Sequence, residues 1–278
     1  MNRWLAPAKV NLSLRVVGKR ADGFHDLESQ MLPVSVFDSL EIEHQTDGDL
    51  EFSCSDPSVP SGEDNLVVRA VRLFCSSFGF LPRLRVHLVK EIPHGAGLGG
   101  GSSDAATTLL ALNDLFQTEL TKETLADLGA ELGSDVPFFI YQSGAEIRGR
   151  GEVVTPKLGL PQLPLLLIKP PFGVPTPWAF KEWKNSTEIP GIPYGEQRFS
   201  WGTLVNDLER PVFQKYILLA DLKRWLLEQP EVDGALMSGS GSTVFAVLKE
   251  KERGYALGER LAAEFGTDFW VFLCETIP

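Results

Sequence analysis

Between Pro93 and Ala106 the chain reads PHGAGLGGGSSDAA, with five glycines in the seven positions from Gly95 to Gly101, followed by the hydroxyls of Ser102 and Ser103. Glycine has no Cβ, so a bulky anion can approach such a backbone closely. Successive N–H groups can then point at phosphate oxygens, and a helix starting just after the loop adds partial positive charge at its N-terminus. The two hydroxyls offer further hydrogen bonds. A flexible surface linker has a similar composition. A linker, however, does not run directly from an alternating stretch (Leu84, Val86, Leu88) into an alanine-rich segment carrying Ala105, Ala106, Leu109, Leu112 and Leu115. The chemistry indicated is phosphate binding. A GxxxxGK[ST] loop is excluded because no lysine follows the glycines. Gly95-x-Gly97-x-x-Gly100 matches the dinucleotide fingerprint, with Glu119 about twenty residues on, but so short a match is unspecific.

Regular elements have to hold this loop. Leu12, Leu14 and Val16 alternate with Ser13, Arg15 and Val17, which predicts a strand, and a second alternating stretch runs from Ser35 to Glu43. Gly18 to Gly23 is a turn-rich connector with two positive charges. Asp64-Asn65 reads as a helix start and Gly79 as its end. The stretch before Pro93 predicts a strand, and a helix follows from Ser103 to about Phe116. Thr121 is a plausible N-cap for a helix through Leu125 and Leu128, ended by Gly129 or Gly133. Prolines cluster between Pro156 and Pro193, where Leu165 to Ile168 suits a buried strand. Beyond them, Asp221 to Leu227 reads as a helix, Gly234 to Val247 as strand–loop–strand, Lys251 to Phe265 as a helix and Phe269 to Leu273 as a last strand. Strands and helices intermix, so the class is α+β or α/β. The change of texture near Thr155 predicts two domains, 1–155 and 156–278.

Composition narrows the partners. Of 278 residues 43% are hydrophobic, enough for a sizeable core and too many for a disordered chain. Lys and Arg number 26 and Asp and Glu 37, a net charge of −11 that repels nucleic-acid backbones and anionic membranes. The three cysteines, Cys54, Cys75 and Cys274, are too few and too scattered for a disulfide framework or a zinc knuckle. No apolar run approaches a membrane span, and Pro7, Lys9 and Asn11 interrupt any signal-peptide pattern at the N-terminus. A cytoplasmic protein is expected. Taken alone, Lys9 reads as a strand-end lysine and Asp135, ahead of Val136-Pro137, as a helix N-cap. Asp104 reads as a dipole or cap partner at a helix start.

The longer pattern PxxxGLGGGSSDAA resembles, at every motif position, the phosphate loop of the GHMP kinases. Three more segments extend the resemblance from residue 6 to about residue 247, in the family's order. The opening, Ala6-Pro7-Ala8-Lys9-Val10-Asn11-Leu12 with GKRADGFHDL from Gly18 to Leu27, is similar to members acting on a cytidine diphosphate-linked methylerythritol. Gly133 to Phe139 resembles the segment carrying the catalytic aspartate, and Met237 to Phe245 the third family motif.

The resemblance implies an α+β, two-domain fold with the active-site cleft between the domains. The N-terminal domain would be like domain 2 of ribosomal protein S5, and the C-terminal domain ferredoxin-like. It implies an ATP-dependent transferase, working with Mg²⁺, that phosphorylates the 2-hydroxyl of that small molecule in the non-mevalonate route to isoprenoid precursors. Mevalonate- or homoserine-type kinases of the same family are the alternatives, and a dinucleotide-dependent oxidoreductase or a non-catalytic nucleotide-binding module lies further off. Carried over by position, Lys9 and Asp135 are the catalytic pair. Asn11, Phe24, His25, Thr176 and Phe180 serve the cytidine-bearing substrate. Asn65 lies near the adenine; Pro93, Gly95, Ala96, Gly97, Leu98, Gly99, Gly100, Gly101, Ser102 and Ser103 hold the phosphates, with Gly239, Ser240, Gly241 and Ser242 beside them. Phe24 stands where the family usually has Tyr, keeping a ring but losing a hydroxyl, and Ser134 replaces a commoner Ala. Neither metal ligands nor oligomeric state follow from the sequence.

Overall fold

Two long strands open the chain, β1 (Asn2–Lys19) and β2 (His25–His44), paired antiparallel. The computed structural model describes residues 2–278. The first half continues with β3 (Glu51–Cys54), α1 (Leu66–Phe78), β4 (Leu84–Val89), α2 (Gly100–Leu115), α3 (Lys122–Ala130), α4 (Val136–Tyr141), β5 (Ala145–Arg148) and β6 (Val153–Pro156). After it come β7 (Pro164–Lys169), α5 (Thr176–Glu182), β8 (Gln197–Phe199), β9 (Gly202–Asn206), α6 (Glu209–Lys215) and α7 (Ile217–Leu227). The chain closes with β10 (Val232–Met237), β11 (Val244–Leu248), α8 (Gly254–Phe265) and β12 (Trp270–Glu275).

Eight strands form one sheet, ordered β3-β4-β2-β1-β9-β8, with the β5–β6 hairpin joined to β2. The strand that precedes the glycine loop, β4, runs antiparallel to β2 and parallel to β3, so the loop does not leave an all-parallel sheet. The other four strands form an antiparallel sheet in the order β10-β11-β7-β12. Alternation decides which layer each face meets. In β7, Leu165 and Leu167 face the first sheet's Ala8, Val10, Leu12, Leu32 and Val34. Leu166 and Ile168 face the helical side, with Phe213, Leu222 and Leu257. Both faces are therefore dry, which is why this strand reads as an unbroken apolar run. Each of the four side chains from Leu165 to Ile168 contributes about 1.5–3 kcal/mol by leaving water. The far face of the first sheet is covered by α1 to α4 through Val71, Phe74, Leu109, Leu112 and Phe138. The layers thus run helix, sheet, sheet, helix, an α+β arrangement.

The ends of the helices follow local chemistry. Asn65 caps α1 by accepting from the Val67 N–H, and Gly79 closes it at φ +75°. Thr121 caps α3 through Thr124. Helix α2 is different: it begins at Gly100, three residues before the sequence expectation, and Gly99, at φ +72°, provides no side-chain cap. Asp135 sits at the N-terminal boundary of α4 but makes no capping hydrogen bond. No helix among the described residues is long and apolar enough to cross a membrane.

Candidate active site

Residues from β1, the glycine loop, the start of α4, the start of α5 and the turn after β10 line one cavity of about 860 Å³, towards the upper end of the range for small-molecule sites. The β1 alternation puts Ala8, Val10 and Leu12 into the inter-sheet core and leaves Lys9 and Asn11 for the cavity. Register shifts at Pro7/Ala8 and Asn11/Ser13 bracket these two residues, and such bulges re-aim side chains. The Lys9 ammonium, only 4% exposed, donates to Asn11 Oδ1 (2.7 Å) and to the Gly97 carbonyl (2.9 Å). It lies 3.9 Å from Asp135 Oδ2. Asn11 is held by donating from Nδ2 to Ser29 Oγ at 2.9 Å. Burial pushes the Lys9 pKa below that of an ordinary lysine, while the Asp135 charge pulls it back up. An ammonium carries three protons. Two are directed at the Asn11 and Gly97 oxygens, and the third remains for the space beside Asp135.

Glycine is required in this loop by contact as well as by conformation. Gly97 has φ +76°, and a Cβ there would lie 2.3 Å from the Ser238 carbonyl oxygen. Gly99 has φ +72°, and its Cβ would meet Phe139 at 2.9 Å and Lys9 Cγ at 3.1 Å. The loop is held from behind: Ser238 Oγ donates to the Gly97 carbonyl (2.9 Å), the Thr243 N–H to the Ala96 carbonyl (3.1 Å) and the Lys9 N–H to the Leu98 carbonyl (2.9 Å). The Ser103 N–H bonds the Gly99 carbonyl at 2.9 Å, opening the helical ladder. The N–H groups of Gly100, Gly101 and Ser102 precede that bond and have no intrahelical acceptor. Pro93, Gly95 to Ser102, Gly239 and Ser240 all border the cavity. Ser103, Gly241 and Ser242 do not. The Ser103 hydroxyl is fully buried without a partner, because an earlier helix start turns it inward. Ser242 Oγ donates to the Phe172 carbonyl, and Gly241 packs on Met237 and the Gly97 region.

The remaining expected residues divide between the two ends. Asn65, 6% exposed, borders the cavity, yet its side chain is engaged with Val67 N and with the Pro60 carbonyl at 2.7 Å. At the other end His25 and Phe180 stack at 5.5 Å with 24° between their planes, and Trp183 meets His25 edge-on at 6.2 Å. A base sandwiched between two rings needs centroids about 7 Å apart, twice a van der Waals stacking distance. His25 and Phe180 therefore leave no slot between them and form one continuous aromatic wall. Burial and then the charge of Lys19 lower the His25 pKa, favouring a neutral ring. Phe24, 49% exposed, lies under the Arg150 guanidinium at 5.3 Å. Thr176 Oγ1 and Ser240 Oγ are 2.7 Å apart, so the start of α5 touches the turn after β10.

Several cavity residues escape sequence reasoning. Lys19, Lys90, Arg150 and Lys181 join Lys9 against Asp22, Asp64, Asp104 and Asp135, five cations to four carboxylates on a chain of net charge −11. The local balance suits anionic ligands although the molecule as a whole does not. The two charges of the Gly18–Gly23 connector were the available signal for Lys19; Arg150 and Lys181 had none. Asp104 is not a cap: it lies in the second turn of α2 and accepts from Lys90 Nζ at 2.9 Å, and Lys90 also donates to Asp38. Among the described residues no group of three His, Cys, Asp or Glu could hold a metal ion. The donor set therefore does not fit a resident metal held by the protein alone.

Residues 65–143 match the family description "GHMP kinases N terminal domain" and residues 198–267 match "GHMP kinases C terminal". A 4-diphosphocytidyl-2-C-methyl-D-erythritol kinase of Methylacidiphilum infernorum (isolate V4) is 42% identical over 276 residues, covering 98% of this chain and 96% of its own. The enzyme of the same name from Protochlamydia amoebophila (strain UWE25) is 43% identical over 88% of this chain and 84% of its own. A crystal structure of a 4-(cytidine 5'-diphospho)-2C-methyl-D-erythritol kinase superposes with a TM-score of 0.82 at 36% identity, covering the whole of both chains. A mevalonate kinase from Methanococcus jannaschii shares the fold at a TM-score of 0.67 and 15% identity, covering 100% of this chain and 98% of its own.

Proposed function

This chain belongs to the GHMP kinase family, and from that premise we propose that it transfers the γ-phosphoryl group of ATP to the 2-hydroxyl of 4-diphosphocytidyl-2-C-methyl-D-erythritol, a step of the non-mevalonate isoprenoid route. The observation that carries the reading is the meeting of Lys9 Nζ and Asp135 Oδ2 at 3.9 Å beside the glycine loop. Phosphoryl transfer through a loose transition state needs positioning and charge screening more than covalent chemistry. Asp135, 38% exposed at the cavity edge, accepts the proton of the attacking hydroxyl. Lys9 directs its third N–H at the oxygen where charge develops, held in place by Asn11 and the Gly97 carbonyl. The unpaired amides at the start of α2 receive the phosphates.

The aromatic wall of His25 and Phe180, the exposed ring of Phe24, and Arg150 and Lys181 suit a cytidine diphosphate: a base against rings, a diphosphate among cations. Magnesium, in this reading, arrives with ATP as the counter-ion of its phosphates. It supplies charge neutralisation there, and the chain contributes orientation. We also take residues 1–155 to carry the phosphate loop and the catalytic pair, and 156–278 to complete the cleft, in a protein of the cytoplasm acting on a small molecule and not on nucleic acid. A coupled assay of ADP release with 4-diphosphocytidyl-2-C-methyl-D-erythritol, mevalonate and homoserine tests the assignment. Turnover is expected with the first alone; preference for either of the others would reassign the chain within its family.

A further inference from the structure

Two elements bracket the glycine loop, and both are fastened to one buried cation. Before the loop, Asp38 of β2 accepts from the N–H groups of Glu91 (2.6 Å) and Ile92 (2.9 Å) and from Lys90 Nζ. After it, Asp104 of α2 accepts from the same Lys90 Nζ at 2.9 Å. The three side chains are 7%, 0% and 4% exposed for Lys90, Asp38 and Asp104. The ammonium sits beneath the first residue of the helix, since a Cβ on Gly100 would lie 3.2 Å from Lys90 Nζ.

We infer that Lys90, Asp104 and Asp38 are positioning residues for the glycine loop, tying the strand end before it to the helix after it so that its amides meet a triphosphate already in register. This rests on the reading of the loop as the ATP phosphate site. Glycines lose more conformational freedom on ordering than any other residue, so a free loop of this composition binds weakly. Ordering it in advance moves that cost out of the binding step. The loop's middle is held by Ser238, Thr243 and Lys9, but α2 has no side-chain cap to hold its end. Lys90 and Asp104 supply that missing fastening from inside.

The charge count argues that Asp104 is not there for stability. Two buried carboxylates share one ammonium, and Asp104 Oδ1 has no partner. Removing Asp104 leaves a matched Lys90–Asp38 pair, whereas a buried unpaired charge is destabilising. Stability and nucleotide affinity therefore move in different directions when the link is cut, which a purely structural role does not allow.

The test compares Asp104→Ala and Asp104→Val, which leave Lys90 no acceptor at this position and cut the link, with Asp104→Asn, which keeps an acceptor for Lys90. In the two cutting variants the melting temperature stays level or rises. The KM for ATP rises about tenfold, as expected when a loop must be ordered on binding. The KM for the alcohol substrate stays as in wild type, and Asp104→Asn restores the ATP value. An unchanged KM for ATP in the cutting variants overturns the inference, and so does failure of both to fold, which would make Asp104 a stability residue. Calorimetric titration of wild type with ATP separates the two claims: no ATP binding there refutes the underlying reading instead.

Discussion

At the scale of single residues, the geometry around Lys9 predicts sharp effects from small changes. Asp135→Asn removes the proton acceptor while keeping shape, and Lys9→Ala removes the ammonium that reaches both Asp135 and the Gly97 carbonyl. Each is expected to lower kcat by about 10²–10⁴-fold with the melting temperature held, as read by steady-state kinetics and thermal melts. Near-normal turnover in either would remove that residue from the mechanism. Gly97→Ala attacks the loop itself: its Cβ has no room beside the Ser238 carbonyl, and φ +76° is strained for alanine. The expected loss is about 1–3 kcal/mol from the backbone conformation alone, together with ATP binding, measured by denaturant titration and calorimetry. The Lys9–Asp135 pairing was legible in the sequence only through family resemblance. The two residues are 126 positions apart, and each has an ordinary reading as a strand-end lysine or a helix cap. The absent capping bond at Asp135 is what frees its carboxylate for the cavity.

At the scale of elements, the position of one helix start decides what Asp104 does. Counting from Ser103, Asp104 falls in the first turn and reads as a dipole partner. Counting from Gly100, where α2 begins, it falls one turn deeper and faces Lys90. Glycines extend a helix against their propensity only when tertiary contacts hold them, and those contacts are invisible in the sequence. The capped helices were legible because Asn65, Gly79 and Thr121 act through local bonds. The same burial gives Asp104 a pH signature. Desolvation, opposed by Lys90, raises its pKa from 3.8 to about 7. The folded state therefore holds this proton more tightly than the unfolded state, and stability falls as pH rises from about 4 to about 7. Asp104→Asn cannot titrate, so its melting-temperature advantage over wild type should widen across that window and level off above it. A constant difference from pH 5 to pH 8 would contradict the assignment.

At the scale of the whole molecule, the cleft is built where the two halves of the sequence meet. Asn206 at the end of β9 donates to the Met237 carbonyl (2.6 Å) and the Gly239 carbonyl (2.8 Å), and β9 itself lies beside β1, which carries Lys9. Glu209 and Lys223, both fully buried, form the ion pair behind this turn, and Glu209 also accepts from the Met237 N–H at 3.0 Å. Lys223→Met strands the carboxylate in a dry interior and should cost about 3–5 kcal/mol in urea unfolding. No local pattern marks this pair, since a buried lysine and a surface lysine look alike in a sequence. The Gly97 carbonyl accepts both from Lys9 and from Ser238, so one oxygen joins the beginning of the chain to its last quarter. Synthesis proceeds from the N-terminus, and residues 238–243 emerge late. The Gly97 carbonyl therefore gains its second donor, and the glycine loop its full set of restraints, only once residues 238–243 have joined the fold.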